Sequence, residues 1–572
     1  MAADAWITDT VPSKRFPLYT RLNASEVLPD PITPLGASLG WVPHVIPGFS
    51  LGFVAAGGFT LDEVIDEVDT AGAGFFFGRM YVNMTMPRLM AIRSGLTAEM
   101  FDAAFFSGAE APPHVSRPSD ENARLAAQVA ERTQWYLTTT DFPEVEEERV
   151  AADRCRAQRP DLSTMSPAAL VARARSVMPL ERLTWRGEVM AANGAAVGPA
   201  VVAQIVESID PTLVVKLIGN GGDVDSAAPS FGLWDLGRTV RADASLTREF
   251  DAGVTGLYER LRDTAPDFAV RLAAFLAEYG CRGPGEWDMG APTWETHPEL
   301  LLTLIERIRH AGEEANPAVR AQTQREQGDA LLAEVLAKLP DDQTRAMLSA
   351  AISSARRFGG WRERAKTSCI KVIHEARVAV TELGRRLHRT GQLADPHHVF
   401  MATDHELDVL VLDPALIAEE LADRARRWRE LFDLEVPLFI DGTAEVPALS
   451  SLPLRRDRKP DIARPGEVLR GSPASSGVVR GIARIVLEPD DFGTLEPGEI
   501  LVAPQTDPSW TPLFMVAGGA VVDIGAMNSH AMIVSRELGI PCAAGVVGAS
   551  RRIPDGSLIE VDGAAGTVTV LE

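Results

Sequence analysis

Cysteine is nearly absent. The four in 572 residues, Cys155, Cys281, Cys369 and Cys542, lie far apart with no CxxC pair. Zinc ribbons and disulfide scaffolds need closely spaced thiols, so neither is expected, and isolated buried thiols in a reducing cytoplasm are. Long apolar runs are missing too. No uninterrupted apolar stretch approaches the roughly 20 residues of a membrane span. The start, MAADAWITDT, lacks the basic-then-apolar order of a secretory signal. Positive charge is in deficit, with 56 Lys and Arg against 79 Asp and Glu, a net charge of -23. Phosphate contacts need clustered cations, so no nucleic acid and no anionic membrane surface is expected as a partner. A phosphorylated ligand in a local basic pocket stays compatible with this balance. Histidine is scarce, ten in all, which makes the setting of each one informative.

What is there is ample core material, 46% hydrophobic residues beside 24% charged ones. The first 60 residues are rich in Pro and Gly. Pro29, Pro31 and Pro34 break any helix through PLYTRLNASEVLPDPITPLGASLG, so an extended segment wrapping over other elements is expected. From about Ser94 to Met347 the apolar period is helical, in LAAQVAERTQWYL, SPAALVARARSVMPL and PELLLTLIERIRHA for example. Helical signal continues to LIAEELADRARRWRELF. The segment 448–470 is proline-rich and basic, a stiffened linker. Beyond it, VVRGIARIVL, GEILVAPQ, GAVVDIG, SLIEVDG and GTVTVLE read as strands between glycines. The expected fold class is multidomain: a mostly α-helical body at 1–447 that binds an acceptor, the linker, and a C-terminal α/β domain at 471–572.

One histidine stands out. In GAMNSHAMIVSRELGIP, the strand AVVDIG ends at Gly525, and HAMIVSREL has helical spacing closed by Gly539-Ile540-Pro541. Asn528 or Ser529 is the expected N-cap, which puts His530 in the first turn. There the backbone N–H groups lack intrahelical partners and the helix dipole favours anions. A phosphoryl group on the imidazole would meet those donors, and the same field favours an unprotonated, nucleophilic ring. Ser529 can donate to a phosphoryl oxygen, and Gly525, Ala526 and Ala531 leave room for a bulky partner.

The stretch resembles the swivelling phosphohistidine domain of the phosphoenolpyruvate-utilising enzymes. The carrying residues are Gly525 through Ala531, Ser535-Arg536-Glu537 and Gly539-Ile540-Pro541, supported by GSPASSGVVRG at 471–481, ILVAPQTDPSWTPLF at 500–514 and PDGSLIEVDGAAGTV near the end. The resemblance implies that His530 carries the phosphoryl group, with Asn528, Ser529 and Gly525 around it. Ala526 and Asn528 depart from the family's commonest residues but are small or polar.

The body resembles, more loosely, the acceptor-binding part of rifampicin phosphotransferase, in YTRLNASEVLPDPITPL, YGCRGPGEWDMGAPTW and HVFMATDHEL. In WRERAK, the pair Arg362 and Lys366 matches an Arg-x-x-x-Lys of that family. Four apart on a helix, both cations can meet one phosphoryl group. Glu286 and Asp288 are candidate general bases in the Gly-rich loop, with an ion pair to Arg282 as the plain alternative for such a loop. His397, His398 and His405 do not suit one helical face, so no metal is expected. YVNMTMPRLMAI reads as core, and Asn220-Gly221-Gly222 as a turn. No barrel follows Glu572, so pyruvate chemistry in the dikinase form is not expected. No ATP-grasp domain is recognised before Tyr19, so ATP and Mg2+ are expected on a separate ATP-grasp subunit that charges His530. The expected enzyme is a cytoplasmic phosphotransferase subunit acting on a small organic hydroxyl, phenolic or alcoholic. The alternatives are an ATP-driven ligase subunit and a non-catalytic relic of the family.

Overall fold

The computed structural model describes residues 4–22, 24–106, 111–207, 209–210, 213–218, 228–455, 461–487, 489–525 and 529–572. Asn220-Gly221-Gly222, Ala526 and Asn528 lie outside the described residues. Contacts divide the chain into two compact units: 1–197, 287–291 and 361–459 in the first, and 198–286, 292–360 and 460–572 in the second.

The first unit is mainly helical. Its opening strand β1 (Leu18–Thr20) leads into the proline-rich stretch, which forms one short helix, Ala24–Val27, and is irregular from Leu28 to Thr33. A π-helix, Gly36–Val45, then runs into an α-helix, Ile46–Ala55. The expectation of an extended segment through PLYTRLNASEVLPDPITPLGASLG is therefore corrected from Gly36 on. Close packing is the reason: a Cβ at Gly48 would lie 2.6 Å from the Arg182 carbonyl oxygen, and one at Gly52 2.5 Å from Val189 Cβ. Tertiary contact that only glycine permits outweighs the poor helix propensity of the run. A small antiparallel sheet, which the helical period does not foretell, adds β2 (Ala73–Phe76), β3 (Arg79–Asn83) and β4 (Phe439–Asp441), in the order β2-β3-β1-β4. Strands of three to five residues are too short to show a period of two.

Two helical stretches, Gly36–Ala55 and Pro167–Val206, are long and apolar enough to cross a bilayer by length and composition. Of their apolar windows, 61% and 50% are buried inside the protein. Within the second stretch Arg175 is paired to Asp404 at 2.7 Å and to Asp408 at 2.8 Å.

A buried arginine ties the late helices together. Arg424 donates to Glu406 Oε2 at 2.6 Å and Oε1 at 2.9 Å, and to the Met401 carbonyl at 2.7 Å. Burial alone would raise the Glu406 carboxyl, but bonds from Arg424 and Thr403 outweigh it and hold it at about 2, against an ordinary 4.5. A carboxyl held below its unfolded value stabilises the fold above that value, and the contribution drains away as pH falls from 4.5 toward 2. Glu406→Gln is expected to cost about 2–3 kcal/mol at neutral pH. Urea midpoints of the two proteins should converge as the pH is lowered through this window.

The second unit joins the helices Ala228–Ala242, Pro298–His310 and Pro317–Lys338 to an eight-stranded sheet. Its strands are β5 (Val468–Arg470), β6 (Ser472–Ser475), β7 (Val478–Ile485), β8 (Ile500–Ala503), β9 (Gly519–Val522), β10 (Cys542–Ala544), β11 (Leu558–Asp562) and β12 (Thr567–Val570), in the order β5-β12-β11-β7-β8-β9-β10-β6. The five strands read from sequence are among them, and β5 falls within the segment read as linker. β7, β8, β9 and β10 run parallel, and the pairings at either end are antiparallel. β8 and β9 are buried at every residue, hence their unbroken apolar runs, whereas β11 and β12 alternate. Parallel neighbours need crossovers. Helix Thr511–Val516 links β8 to β9, and helix His530–Leu538 links β9 to β10. Leu513, Phe514 and Met532 share one apolar cluster with Leu233, Trp234, Leu304 and Ile308.

Helix His530–Leu538 ends at Gly539, left-handed at φ 64°, with its N–H on the Ser535 and Arg536 carbonyls. A Cβ there would fall 2.0 Å from Gln324 Nε2, the end of a flexible side chain. Backbone strain is the larger part, so Gly539→Ala is expected to cost about 1–2 kcal/mol. Gly539→Asn should cost less, as thermal midpoints would show.

Candidate active site

His530 sits where two crossovers begin. β8 ends at Ala503, and the next loop carries Thr506 before helix Thr511–Val516 starts. β9 ends at Val522, and the helix after it starts with His530. Both turns lie at the carboxyl ends of parallel strands, where open α/β sheets form their sites. Ser529 caps the helix, its hydroxyl accepting from Met532 N at 3.4 Å.

Both ring nitrogens are engaged. Nδ1 is 2.9 Å from Thr506 Oγ1, and Nε2 is 2.9 Å from Thr511 Oγ1. A hydroxyl both donates and accepts, so the pair fits either tautomer. The edge-on ring of Phe514, at 5.8 Å and 89°, closes the third side. The histidine is half-buried, whereas Thr506 and Thr511 are buried. The site is thus a fixed imidazole with one partly open face. Gly525 has a steric role, because a Cβ on it would lie 2.8 Å from Ala544 Cβ. Arg536 of the same motif is buried and donates to the Ala474 carbonyl at 2.8 Å, pinning the helix to β6.

The loop that holds Thr506 and leads into Thr511 is anchored from behind. Asp507 accepts from Ser509 N at 2.8 Å, from the Ser509 hydroxyl at 2.5 Å, and from Gly285 N at 3.1 Å. Beside Gly285, Glu286 is fully buried and paired with Arg282 at 2.8 Å. Burial raises Glu286 to about 7 against the opposing pull of Arg282. Asp288 belongs to the first unit. It accepts from the Thr33 hydroxyl at 2.6 Å and from Thr33 N at 3.1 Å, and burial raises it as well. Both acids of the Gly-rich loop are thus engaged in holding the loop in place.

In the first unit, Arg362 and Lys366 lie one turn apart on helix Asp342–Arg389. They converge on two acids. Arg362 Nε is 3.7 Å from Glu188 Oε1, Arg362 NH1 is 3.6 Å from Glu363 Oε1, and Lys366 Nζ is 3.5 Å from the same oxygen. Side-chain exposure is 18% and 22% for the cations but 8% and 7% for the acids, so the positive groups face outward and the carboxylates lie beneath. Burial raises Glu188, the two cations oppose that, and Glu363 adds to it. Glu188 and Glu363 are absent from the sequence reading. Glu363 was within reach of it, inside WRERAK, whereas Glu188 comes from a distant helix. His397 and His398 serve packing: His397 Nε2 meets the Gly290 carbonyl at 3.2 Å, and His398 is buried. The cysteines are unpaired, with Cys155 half-buried and the other three buried.

The fold and this histidine define the class: residues 495–566 match the mobile domain of the PEP-utilising enzymes. The C-terminal part of the chain thus carries the mobile domain of the PEP-utilising enzymes. Residues 186–363 match the fourth domain of rifampicin phosphotransferase. The chain is similar to the rifampicin phosphotransferase of Streptomyces sviceus, 34% identical over 52% of this chain and 34% of the relative. That of Bacillus subtilis is 30% identical over the same shares. An uncharacterised protein of Mycobacterium tuberculosis is 28% identical over 99% of this chain and 62% of its own length. The chain therefore spans about three fifths of the mycobacterial relative and about a third of the phosphotransferases.

Proposed function

We propose that the protein is a phosphotransferase in which His530 ferries a phosphoryl group from ATP to a small organic hydroxyl. The observation that carries this reading is the imidazole held at both nitrogens by threonine hydroxyls, at the first turn of the matched mobile domain. An ATP-grasp partner, outside the matched segments, binds ATP and Mg2+. Thr506 keeps its bond to Nδ1, Thr511 releases Nε2, and Nε2 attacks the phosphorus of ATP. The N–P bond forms as the bond to the departing nucleotide breaks. The domain turns about the part of the 448–470 segment that precedes β5, and the apolar cluster of Phe514 and Met532 travels with its helical partners or opens.

At the second station the acceptor oxygen attacks phosphorus, the N–P bond breaks, and the ring returns to its starting state. Arg362 and Lys366 neutralise charge on the moving group, the main source of catalysis in such transfers. The hydroxyl proton goes to a carboxylate. Glu363, in contact with both cations, and Glu188, beside Arg362, suit that task, and Glu286 and Asp288 keep positioning roles. The phosphotransferase relatives make rifampicin the first probe acceptor, and the unpaired thiols suit a cytoplasmic location. The test incubates the chain with ATP, Mg2+ and an ATP-grasp protein from the same cell. Acid-labile, base-stable phosphate on the protein is expected, and phosphate that survives acid would overturn the reading.

A further inference from the structure

Two arginines of the first unit are buried with part of their guanidinium groups unbonded. Arg79 heads β3 and is wholly buried; its NH2 reaches the Phe432 carbonyl at 3.5 Å, while Nε and NH1 have no hydrogen-bond partner. Arg21 follows β1 directly and is 6% exposed. Its NH2 donates to the Pro29 carbonyl at 2.7 Å, and its NH1 has no partner. Neither makes an ion pair with a carboxylate among the described residues. Arg455, whose Nε donates to the Leu434 carbonyl at 3.1 Å, adds a third positive charge that acts on both. Asp30 acts on all three without an ion pair to Arg21 or Arg79 among the described residues. Burial pushes Arg79 down to about 9, helped by Arg21 and Arg455, and Arg21 down to about 10.

The backbone is strained to keep them there. β2 and β3 pair Phe76 with Arg79, and both residues between them are left-handed, Phe77 at φ 58° and Gly78 at φ 70°. That is the geometry of a type I′ hairpin. A phenylalanine in it is costly, and such strain persists only where the surroundings enforce it. Phe77 is buried, and a Cβ at Gly78 would lie 2.8 Å from Leu431 Cδ1. The packed hairpin fixes the start of β3, and with it Arg79, while the β1–β3 pairing brings Arg21 alongside.

An isolated buried charge is among the least tolerable features of a protein interior. Three buried guanidinium nitrogens with no protein acceptor, two on Arg79 and one on Arg21, need acceptors from elsewhere. A carboxylate brings two oxygens, whereas a phosphate group brings enough to meet all three at once. We infer that Arg21, Arg79 and Arg455 form a binding site for a phosphate group, free or borne by a small organic ligand, independent of the chemistry at His530.

Isothermal titration of the full chain at constant ionic strength tests this, with inorganic phosphate in one arm and a simple phosphate monoester, glycerol phosphate, in the other. Saturable binding of one phosphate per chain is expected, lost in Arg79→Met and weakened at least about tenfold in Arg455→Gln. Arg455 is half-buried, so Arg455→Gln keeps the test decisive should Arg79→Met fail to fold. The stronger arm identifies the source of the group. His530→Ala should bind phosphate as the wild type does, whatever becomes of the transfer activity. Absence of saturable binding in both arms, affinity unchanged in both arginine variants, or binding lost with His530→Ala would each overturn the inference.

Discussion

His530→Ala is expected to abolish phosphate incorporation into the protein and to lower turnover by at least about a thousandfold, the scale of losing a covalent nucleophile. No second histidine stands in the domain to replace it, since residues 471–572 contain this one alone. Alanine also frees the hydroxyls of Thr506 and Thr511, so loss of activity alone does not separate a missing nucleophile from a rearranged loop. His530→Asn separates the two effects. The amide can still reach one threonine hydroxyl but cannot hold a phosphoryl group, so it should fold like the wild type and label like the alanine variant. Thr506→Val probes the support rather than the nucleophile. Without its Nδ1 partner the ring loses orientation, and labelling should slow by roughly tenfold to a hundredfold. Equal labelling of wild type and His530→Ala would end the proposal, because phosphate would then sit on another side chain.

How much of this was legible in the sequence depended on how local each signal is. The strand, glycine and helix around His530 follow one another within about a dozen residues, and each carries its own mark: a fully apolar run for β9, Ser529 as the cap, Gly539 as the stop. Those marks sufficed to place the histidine in the first turn. Its threonine partners lay in the recognisable segment 500–514, but nothing local says that a neighbouring crossover loop brings them to the ring. That follows from the β8-β9-β10 order, which is a long-range property. The same distinction explains the misread start of the chain. A Gly- and Pro-rich run reads as extended, and only the contacts of Gly48 and Gly52 with Arg182 and Val189 show why it is helical. It also explains why Arg362 and Lys366 were found while Glu188 was not. The i, i+4 spacing of the cations is written in one helix, whereas the acid beneath them arrives from another part of the fold. The isolated arginines Arg21 and Arg79 left no mark at all, since burial without a partner shows only in three dimensions.

Arg362→Met and Lys366→Met should each slow transfer from phosphohistidine to acceptor by about a hundredfold to a thousandfold, as when one preorganised donor to a developing charge is removed. The half-reactions make the test specific. Charging of His530 by ATP uses other groups and should proceed normally in both variants, so labelled protein accumulates and then fails to discharge onto the probe acceptor. A purely structural role would depress both halves together. The split between kinetic constants carries a further sign: a cation that acts on charge arising in the transition state lowers kcat and leaves KM nearly unchanged. Arg362→Met also withdraws a counter-charge from the buried Glu188, so some loss of stability will accompany it. Glu188→Gln in the same background removes that charge and should restore the urea midpoint without restoring transfer. The double variant Arg362→Met/Lys366→Met should lose less than the product of the single effects, because both side chains meet Glu363 and would address one phosphoryl group. Full multiplicative losses would mean that the two cations act at separate places, and charging that fails along with transfer would mean they belong to the architecture alone.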